Sequence, residues 1–319
     1  MGGGEKLRER ILSLLEESRG YVSGEEIASK LRISRSAVWK HVRALVAQGA
    51  EIHSGRKGYL LVSPPDRLFR GRVMRRLRGS FGRELHLHEE LGSTSDAAKQ
   101  LARHGAPEGT VVCAERQSSG RGRLGRRWHS PAGGLWFSIV LRPRLPLHRL
   151  NLLSLMLGLG VAEVLEELYG IPAELKWPND VLAGGRKLCG VLVETEAEPE
   201  ALRFVVAGVG VNANIAGFPE ELQAVSLQQL LGRRVDRCEL LAELLNSFEE
   251  LYALIHVTPE QLIARYRERC ATLGKKVRVH MLQEDVEGAA VSIAEDGSLV
   301  IETRHGLRRV SSGICTHLD

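Results

Sequence analysis

Gly120-Arg-Gly-Arg-Leu-Gly-Arg-Arg-Trp128 places three glycines and four arginines in nine residues. Neither a helix interior nor a central strand tolerates that density of glycine, because each one surrenders backbone entropy and offers nothing to pack. The stretch is therefore a loop held by the regular elements around it. Its chemistry faces an anion: glycine lets backbone N–H groups come close to a ligand, and the guanidinium fork matches carboxylate and phosphate. A solvated basic turn, or an RGG-like patch that touches nucleic acid, uses the same residue types, so the surrounding segments must decide between them.

Charge is divided unevenly along the 319 residues. Residues 1–78 carry 17 Lys and Arg against 8 Asp and Glu, a net +9, whereas residues 79–319 carry 27 against 31, a net −4. A basic module for a polyanion joined to a mildly acidic body is the implied organisation; a solvated cationic surface is the alternative. The five cysteines (Cys113, Cys189, Cys238, Cys270, Cys315) are odd in number and never spaced as CxxC. Neither a disulfide framework nor a zinc cluster is expected, and a reducing cytoplasm fits. No basic segment followed by an apolar run opens the chain. The longest apolar stretch, 150–165, contains Asn151 and Glu163, so it reads as a buried helix and no membrane partner is expected.

The N-terminal pattern is that of a winged helix-turn-helix. Leu7, Ile11, Leu14 and Leu15 recur at helical spacing; Ser23 with Glu26 forms a capping box before a second helix; and Ser34 caps a third whose inner face is Ala37, Val38, Val42 and Leu45. Ser34, Arg35, Ser36, Lys40 and His41 are then expected to face a DNA groove, and Trp39 reads as core. A hairpin at Glu51–Leu60 carries Arg56 and Lys57 at its tip, suited to the DNA backbone. A protein-docking module has a similar helical pattern; the basic tip favours operator DNA as partner. Ser63-Pro64-Pro65-Asp66 breaks regular structure and marks a boundary.

Beyond it, strands and helices alternate irregularly. Strands are expected at 81–88, 110–115, 135–142, 187–194 and 203–212, with helices from Ser93 to about His104 and from Asn151 to Tyr169. That mixture indicates an α+β chain around a mixed sheet. Two phosphate motifs fail. The glycine-arginine loop lacks the Gly-Lys-Ser/Thr ending of a P-loop, and Gly208-Val-Gly-Val-Asn-Ala213 is followed by Pro219 rather than by a crossover helix.

Four segments in order, the Gly120 loop, Lys176-Trp-Pro-Asn-Asp180, Arg186-Lys187-Leu-Cys-Gly190 and Gly208-Val-Gly-Val-Asn212, resemble those of the biotin protein ligases, especially the bifunctional ligase and biotin-operon repressors. Ser93-Thr94 and the later Phe218–Leu222 with Ser226-Leu227 are similar as well. The resemblance covers nearly the whole chain and implies a catalytic domain of the class II synthetase-like type. It also implies a reaction in which biotin and MgATP give biotinyl-5′-adenylate and pyrophosphate, and a lysine of a biotin carboxyl carrier protein then takes the biotinyl group. On that reading Lys187, Arg121 and Arg123 are catalytic. Ser93, Thr94, Ser95, Gln117, Gly120, Arg121, Gly122, Arg123, Lys187 and Gly190 hold biotin. Arg126, Trp128, Lys176, Asn179, Asp180 and Asn212 meet ATP or the adenylate, and no dedicated protein metal cluster is expected. Ser95 stands where family members often have Asn.

Helices at 239–254 and 259–270 precede short strands from Gly274 onward, with turns at Glu287-Gly288 and Asp296-Gly297, so a small β-barrel closes the chain. In the family this is an SH3-like domain. The final Val310–Thr316 departs from the family's usual ending. The expected order is a winged helix-turn-helix over 1–63, a linker over 64–80, the catalytic domain over 81–271 and the SH3-like domain over 272–319. A homodimer is implied when adenylate is bound. Two other functions share these features: a biotin sensor without catalysis, and a lipoate or octanoate transferase.

Overall fold

The computed structural model describes residues 3–198, 201–281 and 284–318. Two compact units divide the chain. The first runs to Arg76 and includes Asp236–Glu239; the second comprises Leu77–Val235 and the chain from Leu240.

In the first unit α1 (Gly3–Ser18) buries Ile11, Leu12 and Leu15. Ser23 caps α2 (Gly24–Leu31), its hydroxyl accepting from the Glu26 N–H at 3.0 Å, and the helix stops where Arg32 turns left-handed at φ 55°. Ser34 likewise caps α3 (Arg35–Ala47) through the Ala37 N–H at 3.1 Å. Each such cap is worth about 1 kcal/mol. β1 (Glu51–Gly55) and β2 (Gly58–Ser63) form the hairpin, with Arg56 and Lys57 at its tip. Gly58, at φ 114°, meets Val22: a Cβ there would stand 2.1 Å from the Val22 carbonyl oxygen, so only glycine allows the hairpin base to dock. This is a winged helix-turn-helix. The unit continues past the Pro64-Pro65 break through α4 (Arg70–Met74), where the almost buried Arg72 pairs with Glu16 and Asp236, both at 2.7 Å.

Two expectations for α3 need correction. Trp39 is not core: it is 52% exposed, because the inward stripe is Val38, Val42 and Leu45. His41 is half-buried and turns toward the α1 side, where burial and the neighbouring Arg8 and Lys40 charges hold its pKa below the ordinary histidine value. It does not stand on the outward face with Ser36 and Lys40.

The second unit is built on a seven-stranded mixed sheet. In chain order its elements are β3 (Leu85–Leu91), α5 (Thr94–Arg103), β4 (Val111–Gln117), β5 (Leu135–Leu141), α6 (Asn151–Tyr169), β6 (Glu174–Lys176), β7 (Asp180–Ala183), β8 (Arg186–Glu198), β9 (Ala201–Val211), α7 (Leu227–Leu231), α8 (Arg237–Val257, its first turn grouped with the first unit) and α9 (Pro259–Glu268). The sheet order is β3-β4-β5-β9-β8-β7-β6; only β3 and β4 run parallel. The first strand begins at Leu85 rather than Phe81, because Gly82 at φ 79° makes a turn there. Helix α6 buries twelve residues, among them Leu152, Leu155, Met156 and Leu159, each contributing on the order of 2 kcal/mol.

A five-stranded antiparallel sheet follows: β10 (Lys276–His280), β11 (Asp285–Ile293), β12 (Leu299–Thr303), β13 (Gly306–Val310) and β14 (Ile314–His317), in the order β13-β12-β11-β10-β14. Among the described residues no helix is long and apolar enough to cross a membrane.

Candidate functional site

One cavity of about 260 Å³ opens at the end of β8 and β9 in the second unit, with the glycine-arginine loop along one side. At its inner end lies a chain of neutral donors and acceptors. Ser93 caps α5, which delivers Thr94 and Ser95 to the sheet with both side chains buried. The Thr94 N–H and hydroxyl lie 2.8 and 3.1 Å from the Gln117 amide oxygen; the Gln117 amide nitrogen donates to the Ser130 hydroxyl at 2.9 Å. Ser138, fully buried on β5, lies 2.8 Å from the Thr94 hydroxyl and 3.1 Å from that of Ser95. Room for this cluster comes from Gly208 on β9, where a Cβ would stand 2.9 Å from Ser95 Oγ. Such a neutral set recognises an uncharged polar ligand, since unmatched partners would leave buried groups unsatisfied.

The cationic half begins a few residues away. Lys187 Nζ stands 2.7 Å from Asp180 Oδ1, an ion pair whose alignment falls short of a hydrogen bond, and 4.9 Å from the centroid of the Trp128 ring. Trp128 lies across Gly190 and Gly210, which face each other between β8 and β9: a Cβ at either would come within 2.9 Å and 2.6 Å of the indole. The paired glycines are therefore the seat of the ring. Trp136 meets the same indole edge-on at 6.4 Å.

Arg123 donates to the Gly313 carbonyl at 3.1 Å and reaches Asn179 Oδ1 at 3.4 Å. Burial lowers its pKa, yet a guanidinium remains charged at any relevant pH. Arg121 is occupied differently: it makes a bidentate pair with Asp96, one arm at 2.6 Å, and lies 3.9 Å from Glu194. The Arg121 bond holds the Asp96 carboxyl below its usual range. Asn179 donates to the Val191 carbonyl at 2.9 Å, and Asn212 spends its amide on the Lys187 and Val225 carbonyls at 3.2 and 3.1 Å. The same strand end draws in the later loop, for Lys187 N–H donates to the Gln223 carbonyl and Val225 N–H to that of Lys187.

Of the expected site residues, the cavity brings together Ser93, Thr94, Ser95, Gln117, Arg121, Gly122, Arg123, Arg126, Trp128, Asn179, Asp180, Lys187, Gly190 and Asn212. Lys176 and Gly120 lie outside its lining. Lys176 ends the edge strand β6, and Gly120 is small for another reason: a Cβ there would stand 2.6 Å from Ser130 Oγ and 2.7 Å from the Trp128 carbonyl oxygen. The loop closes on itself at that point.

Sequence reasoning missed Asp96, Ser138 and Glu194, and it marked Val310–Thr316 only as a divergent ending, although Gly313–Cys315 within it line the cavity. Only Asp96, two residues past Thr94, lay close enough to a motif to be found. Neither Cys315, which lines the cavity, nor the buried Cys189 next to Gly190 suits nucleophilic work: burial raises Cys189 far above the ordinary thiol range and pushes Cys315 up to about 11. Among the described residues no group of three or more His, Cys, Asp or Glu is arranged to hold a metal ion. Asn179 and Asp180 offer hard oxygens at the cavity edge, which suits a magnesium ion that arrives on nucleotide phosphates and keeps several waters.

In the first unit, Ser34, Arg35, Ser36 and Lys40 are exposed on and before α3, and Arg56 and Lys57 at the hairpin tip.

Comparison with known proteins agrees with this division. Residues 89–212 match the biotin/lipoate A/B protein ligase family, residues 7–60 an HTH domain and residues 272–318 the biotin protein ligase C-terminal domain. The bifunctional ligase/repressor BirA of Bacillus subtilis is 37% identical over 317 residues, covering 96% of this chain and 97% of its own. The biotin–[acetyl-CoA-carboxylase] ligase of Mycobacterium tuberculosis is 39% identical over 249 residues, 75% of this chain and 91% of its own. The solved biotin protein ligase from Aquifex aeolicus, in complex with biotin and ATP, superposes with a TM-score of 0.65 at 33% identity, over 73% of this chain and 98% of its own. Sequence, domain order and fold agree, and the chain belongs to the biotin protein ligase family, alongside the bifunctional ligase/repressors.

Proposed function

We propose that this protein is a biotin–protein ligase that also acts as a biotin-dependent repressor of transcription. The observation that carries the ligase reading is the single cavity in which the Thr94, Ser95 and Gln117 polar set meets Arg123 and Lys187. Biotin's ureido ring takes the neutral end and its carboxylate extends toward the cations. A carboxylate oxygen attacks the α-phosphorus of ATP, the bond to the β-phosphate oxygen breaks, and pyrophosphate leaves. Two anions approach each other in that step, so fixed positive donors lower its barrier more than any other device available here. Lys187 neutralises charge on the non-bridging oxygens of the pentacoordinate α-phosphoryl group, and Arg123 charge on the carboxylate and phosphate oxygens. Arg121 holds the loop while Arg126 faces the departing pyrophosphate. Magnesium, bound to the phosphates, supplies further charge. In the second step the ε-amine of a carrier-domain lysine attacks the acyl carbon, AMP leaves, and an amide remains.

Incubation with labelled biotin, ATP and a biotin carboxyl carrier domain tests this directly. Label in the carrier supports the ligase; adenylate without transfer, or no adenylate, supports a sensor; transfer of lipoate in place of biotin supports the lipoate alternative. The repressor reading rests on the winged helix-turn-helix with its basic helix and hairpin tip. Ordering of the Gly120 loop by the adenylate would favour a homodimer able to bind paired half-sites. Sedimentation with and without biotin and ATP measures the dimer, and equal operator affinity in the two conditions would remove the coupling.

A further inference from the structure

The exposed tryptophan of α3 is unexplained by the core and by the ligase site. Trp39 presents a large apolar ring, 52% exposed, on a helix whose inner side is already filled by Val38, Val42 and Leu45. One turn further on the same side, the guanidinium carbon of Arg43 lies 4.9 Å from the centre of the Trp39 ring. Stacking of this kind fixes a long side chain before any partner arrives and so lowers the entropy lost on binding. Together with Arg35, Ser36, Ser54 and Arg56, the pair lines the cleft between α3 and the hairpin. Among the described residues none of Arg35, Lys40, Arg43, Arg56 and Lys57 forms an ion pair, so all five charges are left for a partner, against Glu25 at the α2 side of the cleft.

We propose that Arg43 and Trp39 are the base-reading pair of this protein, a role that rests on the repressor reading above. The recognition face is then Ser36, Lys40 and Arg43 on the outward stripe, with Trp39 on the hairpin side and His41 excluded. A pre-ordered guanidinium fork reads the O6 and N7 acceptors of guanine in the major groove, and an apolar ring beside it reads the methyl group of a neighbouring thymine. Arg56 and Lys57 at the hairpin tip and Lys40 take phosphates, which position the module without reading sequence. Charge selects the occupant: Arg35, Arg43 and Arg56 outnumber Glu25, the one acidic residue of the cleft lining, and this cationic excess beside an exposed indole matches a nucleic-acid duplex. A site for the carrier protein is the rival outcome.

The test uses full-length protein with biotin and ATP, a pool of randomised DNA duplexes, and sequencing of the bound fraction. Wild type should enrich a motif with a guanine beside a thymine in each half. Arg43→Lys keeps the charge but loses the fork, so preference at the guanine should fall by about tenfold to a hundredfold, with the salt dependence of binding unchanged. Trp39→Ala should relax the thymine and, by freeing the Arg43 side chain, lower part of the guanine preference as well, and Trp39→Phe should restore part of both. Lys40→Ala should lower affinity for every sequence and flatten the salt dependence. An unchanged motif in both Arg43→Lys and Trp39→Ala overturns the assignment. So does an unchanged motif accompanied by slower biotin transfer to the carrier, which would make this face a protein-docking site. If wild type enriches no motif, the repressor reading itself falls and this inference with it.

Discussion

Gly210→Ala adds one methyl group at the next-to-last residue of β9, and its consequence can be worked out from the seat of Trp128. The added Cβ would stand 2.6 Å from the indole Nε1 and 2.9 Å from Cε2. Carbon contacts are comfortable at 3.5–4.0 Å, so the ring has to lift by about 1 Å. Trp136 packs edge-on against the ring and closes one side. The remaining direction is away from the two strands, which shifts the ring against the Lys187 side chain beside it. Overpacking of this kind costs about 1–3 kcal/mol, which corresponds to roughly a 5- to 150-fold weakening of whatever requires the seated ring. Calorimetric binding of biotin and pyrophosphate release should both show the loss, with a smaller fall in melting temperature. The cycle with Trp128→Ala supplies the control: once the indole is gone, Gly210→Ala should cost nothing further. If Gly210→Ala alone leaves biotin affinity and adenylation unchanged, the ring is not seated on the glycine pair and the explanation of both glycines fails.

Three further outcomes follow from the same geometry. Lys187→Met should slow pyrophosphate release by about a hundredfold or more, as expected for removing a charge aimed at the transition state, while stability changes little; undiminished release would cancel the role assigned to Lys187. Ser138→Ala removes the common partner of the Thr94 and Ser95 hydroxyls, so the KM for biotin should rise by about fivefold to tenfold with the KM for ATP unchanged. Asp96→Asn should speed loss of the adenylate at neutral pH, because Arg121 no longer anchors the loop. The wild-type Asp96 carboxyl is held below its ordinary range, so its contribution is complete above that range and disappears as pH falls through the lowered value. Stopped-flow release curves for wild type and Asp96→Asn should therefore converge in acid, and parallel curves at every pH would exclude the pair.

What could be read from the chain was local. Caps at Ser23, Ser34 and Ser93, the buried run in α6 and the glycine-arginine loop each carry their physical reason within a few residues, and all five stand in the fold where their spacing puts them. Lys187 and Asp180 were legible for the same reason, as members of short ordered motifs. Helical spacing picked the inner stripe of α3 correctly, and Trp39 was misread because a large apolar ring was expected to pack whatever its stripe; Val38 took the interior and left its neighbour outside.

The parts that escaped depend on distant segments. Ser138 acquires its role only when β5 lies beside the start of α5, more than forty residues earlier, and Gly313 meets Arg123 across 190 residues. Both are small residues in strands or turns with no motif of their own. Gly190 and Gly210 show the same point from the opposite side: as isolated glycines in two strands each merely weakens a ladder, but as partners across β8 and β9 they make a flat patch the size of an indole. The order of the segments thus identifies the chemistry, whereas register across the sheet decides which atoms perform it. An indole over paired glycines, with the Lys187 ammonium 4.9 Å from its centre, joins the neutral and cationic halves of the cavity into one site.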